Sequence, residues 1–252
     1  WGSHMNQDEF NVMEGSDSGK WWYDAREELL VRELIKLSSN KPNLKILDLA
    51  SACGGNFSIC DKHGKVFGLD ISWQSIEICK NKGIKNLVQA DAQELPFASG
   101  SMDVVIALDV LEHLENDSGS MSEVARVLNK DGVFIFNTPA LMPLFSYHDV
   151  AFHHFRRYSA GELKNKLVNA NFQVNFITYW SFFMFPVVYA FRRIKNLFRD
   201  SKDQPSSDFQ LKVPVLVDGV FQFFSLVELF LLKRKLYFPI GVSLFGTARK
   251  GL

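Results

Sequence analysis

Cysteine is scarce, and none is spaced for a metal ribbon or a disulfide framework. Cys53, Cys60 and Cys79 fall in the first third of the 252 residues with no CxxC pair. That excludes a zinc ribbon and a stapled secreted scaffold, and it points to a reducing, cytoplasmic compartment. Residues 1–5, WGSHM, have the form of an expression-tag remnant, no cleavable signal is read after them, and they are set aside. Net charge is absent too, with 28 Lys+Arg against 28 Asp+Glu. There is no internal repeat, no low-complexity tract and no RNA- or DNA-binding motif, so nucleic acid is not an expected partner. No apolar run is clean enough to read as a membrane span: the longest, VLVDGVFQFFSLVELFLLKRK at 215–235, carries Asp218, Gln222, Ser225 and Glu228 on one helical face.

What is present is unevenly distributed. Residues 1–159 carry 15 Lys/Arg and 22 Asp/Glu, whereas 160–252 carry 13 and 6, so a −7 half is followed by a +7 half. The basic part also holds 14 of the 23 phenylalanines. Basic and aromatic together suggest a membrane surface or a lipid-like ligand rather than nucleic acid. The segments 181–199 and 215–235 each join a broad apolar face to a basic end, RRIKNLFR and KRK. They read either as interfacial amphipathic helices making peripheral membrane contact through 181–235, or as a helical cap packed on the domain. A polar loop, SKDQPSSD at 201–208, separates them.

Periodicity organises the rest. Leu29, Leu30, Leu34 and Leu37 recur at helical spacing within 21–37. Short apolar runs follow at 45–49, 66–70, 86–90, 104–108 and 133–137, with helical stretches near 54–63, 73–82 and 118–128, then a helix over 160–170 and a strand over 173–179. GVSLFGTARK supplies a last strand. Strands and helices alternating at this interval form a parallel sheet with helices on both faces. The expected organisation is a core at 6–180 and a helical elaboration at 181–252 that ends in the last core strand.

Directly after the first strand stands DLASACGGN, Asp48 to Asn56, a small-residue loop with alanine at two positions where such loops carry glycine. The dinucleotide fingerprint GxGxxG does not fit, since the only adjacent glycines are Gly54 and Gly55. Three further features follow in order: VFGLDIS with Asp70, QADAQELPF with Asp91, and SMDVVIALDVLEHL leading to RVLNKDGVFIFNTP. This set resembles the class I S-adenosylmethionine-dependent methyltransferases, most strongly over 21–179. The resemblance implies a Rossmann-like, doubly wound, seven-stranded α/β sheet with an α-helical C-terminal elaboration, and S-adenosylmethionine as cofactor, with S-adenosylhomocysteine as product. It implies cofactor contacts from Asp48, Ala50, Ser51, Ala52 and Gly54, from Asp70 and Ile71 at the ribose, from Asp91 and Ala92 at the adenine, and from Asp109 and Arg26. A loop leaving a strand into a helix N-terminus suits the cofactor's carboxylate. Ala50 and Ala52 are expected at negative φ with their methyls turned away, because glycine alone takes positive φ freely.

The acceptor side rests on HDVAFHHFRRYSAGEL after the fifth strand, together with WWY near the start and PIGVSL near the end. These are similar to elements of a subgroup encoded with glycan-assembly enzymes, matched here by Trp21, Trp22, Tyr23 and Arg26, by His148, Asp149, His154, Arg156, Arg157 and Tyr158, and by Pro239, Gly241, Ser243 and Leu244. The resemblance implies O-methylation of a glycan-related, lipid-linked or other small-molecule acceptor, with a quinone-like or natural-product hydroxyl as the alternative. His148, His154 and His113 are the candidate bases and Asp149 the orienting carboxylate; Trp22, Tyr23, Arg156, Arg157 and Tyr158 are candidate acceptor contacts. The competing readings are a polar loop that caps the next helix and a non-catalytic S-adenosylmethionine-binding or membrane-docking module. Asp109, Glu112 and His113 also resemble a cation-binding set of some quinone-pathway enzymes, but the same LEH occurs without metal, and no metal is expected. His63 reads as a turn residue.

Overall fold

The computed structural model describes residues 21–197 and 215–251; the tag remnant and the loop at 201–208 lie outside the described residues. Helix α1 (Trp21–Asn40) buries Leu29, Leu30 and Leu34 at the expected spacing and stops just short of Pro42. The elements that follow are β1 (Leu44–Leu49), α2 (Phe57–Cys60), β2 (Gly64–Asp70), α3 (Trp73–Asn81), β3 (Leu87–Gln89), β4 (Met102–Leu108), α4 (Asp117–Val127) and β5 (Leu128–Pro139). Then come α5 (Tyr147–Ala151), α6 (Ala160–Asn169), β6 (Phe172–Trp180), α7 (Phe185–Leu197), α8 (Val215–Lys233) and β7 (Ser243–Lys250).

One seven-stranded sheet runs in the order β3-β2-β1-β4-β5-β7-β6, with β7 antiparallel to both neighbours and the first five strands parallel. Its strands are apolar on both faces because both are covered. Leu47, Val105, Phe134 and Phe136 pack on one side with Leu163 and Leu167 of α6; Ile46, Val104, Ile106 and Ile135 pack on the other with Leu30 and Leu34 of α1. Adjacent residues of one strand thus serve opposite cores, the period-two geometry of a pleated strand.

Two elements differ from the sequence reading, and the C-terminal helices take up the packed cap that is one of its two alternatives. The helix expected over 54–63 is a single turn, since Gly54 (φ 80) and the bend around it delay its start and Asp61 closes it. Strand β5 extends from Leu128 to Pro139 rather than 133–137, held on its far side by β7. The C-terminal helices fold back on the domain: Leu229 and Leu232 of α8 share the core of α1 and Trp180, while Phe221 and Phe224 join Met184, Val188 and Tyr189 in a separate cluster with Trp21 and Trp22. No helix of the described residues is long and apolar enough to cross a membrane.

Candidate active site

The sheet order reverses between β1 and β4, and in open α/β sheets ligands bind outside the carboxyl ends of the strands at such a point. Half of the described non-glycine residues at positive φ stand on that edge. Ala50 (φ 54) and Ala52 (φ 44) follow β1, Asp109 (φ 57) follows β4, Leu141 (φ 65) follows β5 and Ser181 (φ 56) follows β6. Left-handed conformations cost non-glycine residues energy and collect where the surroundings overdetermine them.

The two alanines correct the expectation of negative φ. The loop is pinned from several sides: Ser51 N–H donates to the Leu69 carbonyl at 2.9 Å, Ala52 N–H to Asp70 Oδ2 at 2.9 Å, Gly54 N–H to the Ser51 carbonyl at 2.8 Å, and the Cys79 thiol to the Ala52 carbonyl at 3.2 Å. Only the third small position needs glycine on space as well as φ, because a Cβ on Gly54 would strike the Ile84 side chain and come within 3.1 Å of Cys79 Sγ. The single turn of α2 leaves little helix dipole to offer a ligand. Of its first N–H groups, that of Phe57 already bonds to the Gly54 carbonyl and that of Ile59 to the Asn56 carbonyl.

Asp48 is buried, and Asn56 Nδ2 donates to its Oδ1 at 3.1 Å. Burial pushes its carboxyl up to about 7, against the Asn56 hydrogen bond and the charge of Arg26. Asp70 ends β2 and accepts from Ser72 N–H at 2.8 Å as well as from Ala52. Burial raises it while these donors oppose. The Ser75 side chain and the Ile71 N–H also bond to it, so its lone-pair directions are largely taken within the protein. Asp91 is half-buried beyond β3 and accepts from Gln93 N–H at 2.8 Å; Ala92 beside it is buried, and Ile71 is exposed.

Arg26 of α1 meets Asp109 at 2.8 Å, Asp109 Oδ1 accepts from Asn137 Nδ2 at 2.6 Å, and Asn137 Oδ1 accepts from Trp180 Nε1 at 2.8 Å. Trp22 packs on Trp180 with ring centroids 4.6 Å apart, and the Tyr23 ring holds the Arg26 guanidinium at 5.1 Å. This relay locks the leading helix to the ends of β4, β5 and β6. Gly241 completes it, since a Cβ there would strike the Trp180 carbonyl. Asn137 and Trp180 were not singled out in the sequence; a polar residue ending an apolar strand, in FNTP, was the available signal.

Beyond β5, Asp149 has a fully buried carboxylate. Oδ1 accepts from Arg157 Nε at 2.7 Å and pairs with His154 Nδ1 at 2.9 Å, while Oδ2 accepts from Ser146 N–H at 2.8 Å and lies 3.6 Å from Arg192 Nη1. Burial would raise it, but the His154 hydrogen bond and the Arg157 and Arg192 charges hold it far below the usual carboxylate range. The sequence left Asp149 to orient either the adjacent His148 or the nearby His154. The structure pairs it with His154, because successive helical side chains diverge by about 100°. His148 packs instead beside Phe152, and burial, then the Arg192 charge, pulls its imidazole well below the usual value.

Arg157 and Tyr158 are buried and committed internally, in place of the expected acceptor contact. Arg157 holds Asp149 and the Ala140 carbonyl, and the Tyr158 hydroxyl donates to Asp117 Oδ2 at 2.7 Å. Arg156 pairs with Asp117 at 3.0 Å and donates to the Glu115 carbonyl. His63 meets the Ser38 hydroxyl at 2.9 Å.

His113 packs edge-on against His154, ring centroids 4.5 Å apart, and burial pulls its imidazole well below the usual value. Glu112 is fully buried: Oε2 accepts from Thr138 Oγ1 at 3.0 Å and Oε1 has no partner. Burial, then the Asp109 charge, pushes its carboxyl well above the usual range. Ligand atoms of Glu112, His113 and His154 lie within 4.8 Å of one another, a spacing that could hold a cation. Asp109 is not among them, being turned to Arg26 and Asn137.

A family model described as a methyltransferase domain matches residues 47–136, which hold the loop, Asp70, Asp91 and Glu112. Over these residues the chain carries a methyltransferase domain, and it is similar to S-adenosylmethionine-dependent methyltransferases. Among its relatives, a probable S-adenosylmethionine-dependent methyltransferase of Mycolicibacterium smegmatis is 30% identical over 61% of this chain and 60% of its own length. The ubiquinone biosynthesis O-methyltransferase of Pelagibacter ubique is 27% identical over 44% and 50%. The chain thus spans between half and two thirds of these relatives. Other relatives are named as N- and C-methyltransferases. The crystal structure of a putative methyltransferase from Bacillus halodurans superposes with a TM-score of 0.56 at 20% identity, covering 88% of this chain and 99% of that one. The M. smegmatis relative is named for its dependence on S-adenosylmethionine, and one residue here fits a bound cofactor. The strained loop leaves Ser51 Oγ buried without a partner on the edge where the sheet order reverses, a free polar atom that suits a ligand there.

Proposed function

We propose that the chain transfers a methyl group from S-adenosylmethionine to an oxygen of a small, amphipathic acceptor, glycan-related or lipid-linked, with His154 as general base. The Asp149–His154 pair carries this reading. Asp149 is a permanent anion at neutral pH, so it fixes the proton on His154 Nδ1 and leaves Nε2 to accept one from an acceptor hydroxyl. S-adenosylmethionine supplies the electrophilic methyl group on its sulfonium. The chain's own residues hold the cofactor at Asp70, Asp91 and the Ala50–Gly54 loop, and they enclose the acceptor side with Glu112 and His113. The P. ubique relative, an O-methyltransferase by name, supports oxygen as the acceptor atom; the N- and C-methyltransferases among the relatives are the competing assignments.

Two measurements test it. Calorimetric titration with S-adenosylhomocysteine should give heat that Asp70→Ala removes; no heat from the wild type refutes cofactor binding. Against a panel of glycan, lipid-linked and quinol acceptors, His154→Ala should lose turnover at least a hundredfold while retaining that heat. Unchanged turnover removes the base assignment, and heat without turnover on any acceptor favours a non-catalytic binding module.

A further inference from the structure

We propose that the outward faces of α7 and α8 dock this protein on an anionic lipid bilayer, lying in its interface rather than crossing it. On α8, Val220, Phe223, Leu226 and Phe230 are exposed at 46, 61, 60 and 53% and fall on one face at spacings of three, three and four. On α7, Val187, Phe191 and Ile194 form a similar stripe. The usual amphipathic order is partly inverted. Glu228, counted in sequence with the polar face, points inward and accepts from Phe182 N–H at 3.1 Å, while Arg192 is buried and donates to the Leu144 carbonyl at 2.7 Å. Both helices already bury an apolar side: Val188 and Tyr189 of α7 and Phe221 and Phe224 of α8 pack together with Leu144 and Met184. The exposed stripes are a second apolar side beyond what folding requires.

Charge identifies the occupant. Lys195 lies over the exposed Phe191 ring at 5.8 Å, Arg193 over Tyr189 at 5.3 Å and Arg234 over Phe230 at 4.5 Å, with Lys235 next in the chain. Among the described residues of α7 and α8 the only acids are Asp218 and Glu228, and Glu228 is buried. Cations on the rings of an apolar stripe match a surface that is apolar below and anionic above. That is an acyl boundary under phosphate headgroups; a protein partner would place no such requirement on the sign of the rim.

The inference stands apart from the methyl-transfer reading, because vesicle binding is measured without turnover. The protein is sedimented with phosphatidylcholine vesicles, with and without phosphatidylglycerol, at low and high salt. Binding to the phosphatidylglycerol vesicles is expected at low salt and should weaken at high salt. Each of Lys195→Gln and Arg234→Gln should lower it about fivefold. The pair Phe223→Ser with Phe230→Ser should lower it on the order of tenfold or more. These side chains are exposed, so melting temperatures should hold, and an unchanged circular dichroism melt confirms that loss of binding is not unfolding. Absence of binding at low salt overturns the proposal, as does binding indifferent to the serine pair. Elution of the wild type as a dimer that the serine pair dissolves also overturns it, because a second copy would then cover the face.

Discussion

Replacing Ala52 by glycine should stabilise the protein. Ala52 sits at φ 44, held there by its N–H on Asp70 and by the Cys79 thiol on its carbonyl. An L-residue in the left-handed region costs about 1–2 kcal/mol, whereas glycine's greater freedom in the unfolded chain costs about 0.5–1 kcal/mol. The difference leaves Ala52→Gly about 0.5–1 kcal/mol more stable. For a chain of this length, each kcal/mol shifts Tm by about 2–4 °C, so a rise of about 1–4 °C is expected by scanning calorimetry without ligand. Ala50→Gly should gain less, since the Ala50 methyl packs against the core beneath the sheet. Ala190, exposed on α7, is the control: its replacement by glycine should cost about 1 kcal/mol, the helix-interior penalty. A fall in Tm for Ala52→Gly resembling that of Ala190→Gly would show that the loop stores no strain at residue 52.

Asp149→Asn leaves the buried Arg157 without its counter-charge and should cost about 3–5 kcal/mol, read from urea midpoints. Because the folded carboxyl lies below its unfolded value, the stability it supplies is present above about pH 4 and is lost as pH falls further, so the variant should lose that acid sensitivity. Glu228 behaves oppositely: burial pushes its carboxyl up to about 7, so its contribution is full below about pH 4.5 and is lost as pH rises through 7. Glu228→Gln should flatten this decline, and the wild type's stability relative to the variant should fall between pH 5 and pH 8; a constant difference would refute the buried, neutral carboxyl. Trp180→Phe removes the donor to buried Asn137 Oδ1 and should cost about 1–3 kcal/mol, measured by the same urea titration.

The order of strands and helices was legible because it depends on local periods of two and 3.6 residues, and the sheet edge proposed to hold the cofactor was legible because Asp48, Asp70 and Asp91 each stand in or after an apolar run. Two things hid the loop's conformation. Alanine is a residue that ordinarily avoids positive φ, and the bonds that impose it come from Leu69, Asp70 and Cys79, remote in sequence. His148 and Asp149 are neighbours along the chain, yet a helix turns neighbours apart, and Asp149 found His154 five residues away.

The sequence by itself therefore determined the alternating architecture, the positions of the strand-end acids and the segregation of basic and aromatic residues into the last third. Those properties follow from spacing and composition. Tertiary structure alone decided which imidazole receives the buried carboxylate, that Asn137 and Trp180 tie Arg26 and Asp109 to the sheet, and that Glu228 turns inward while Phe223, Leu226 and Phe230 face out. Each of these is a choice of partner across the fold, made by burial and by the need to satisfy polar groups removed from water.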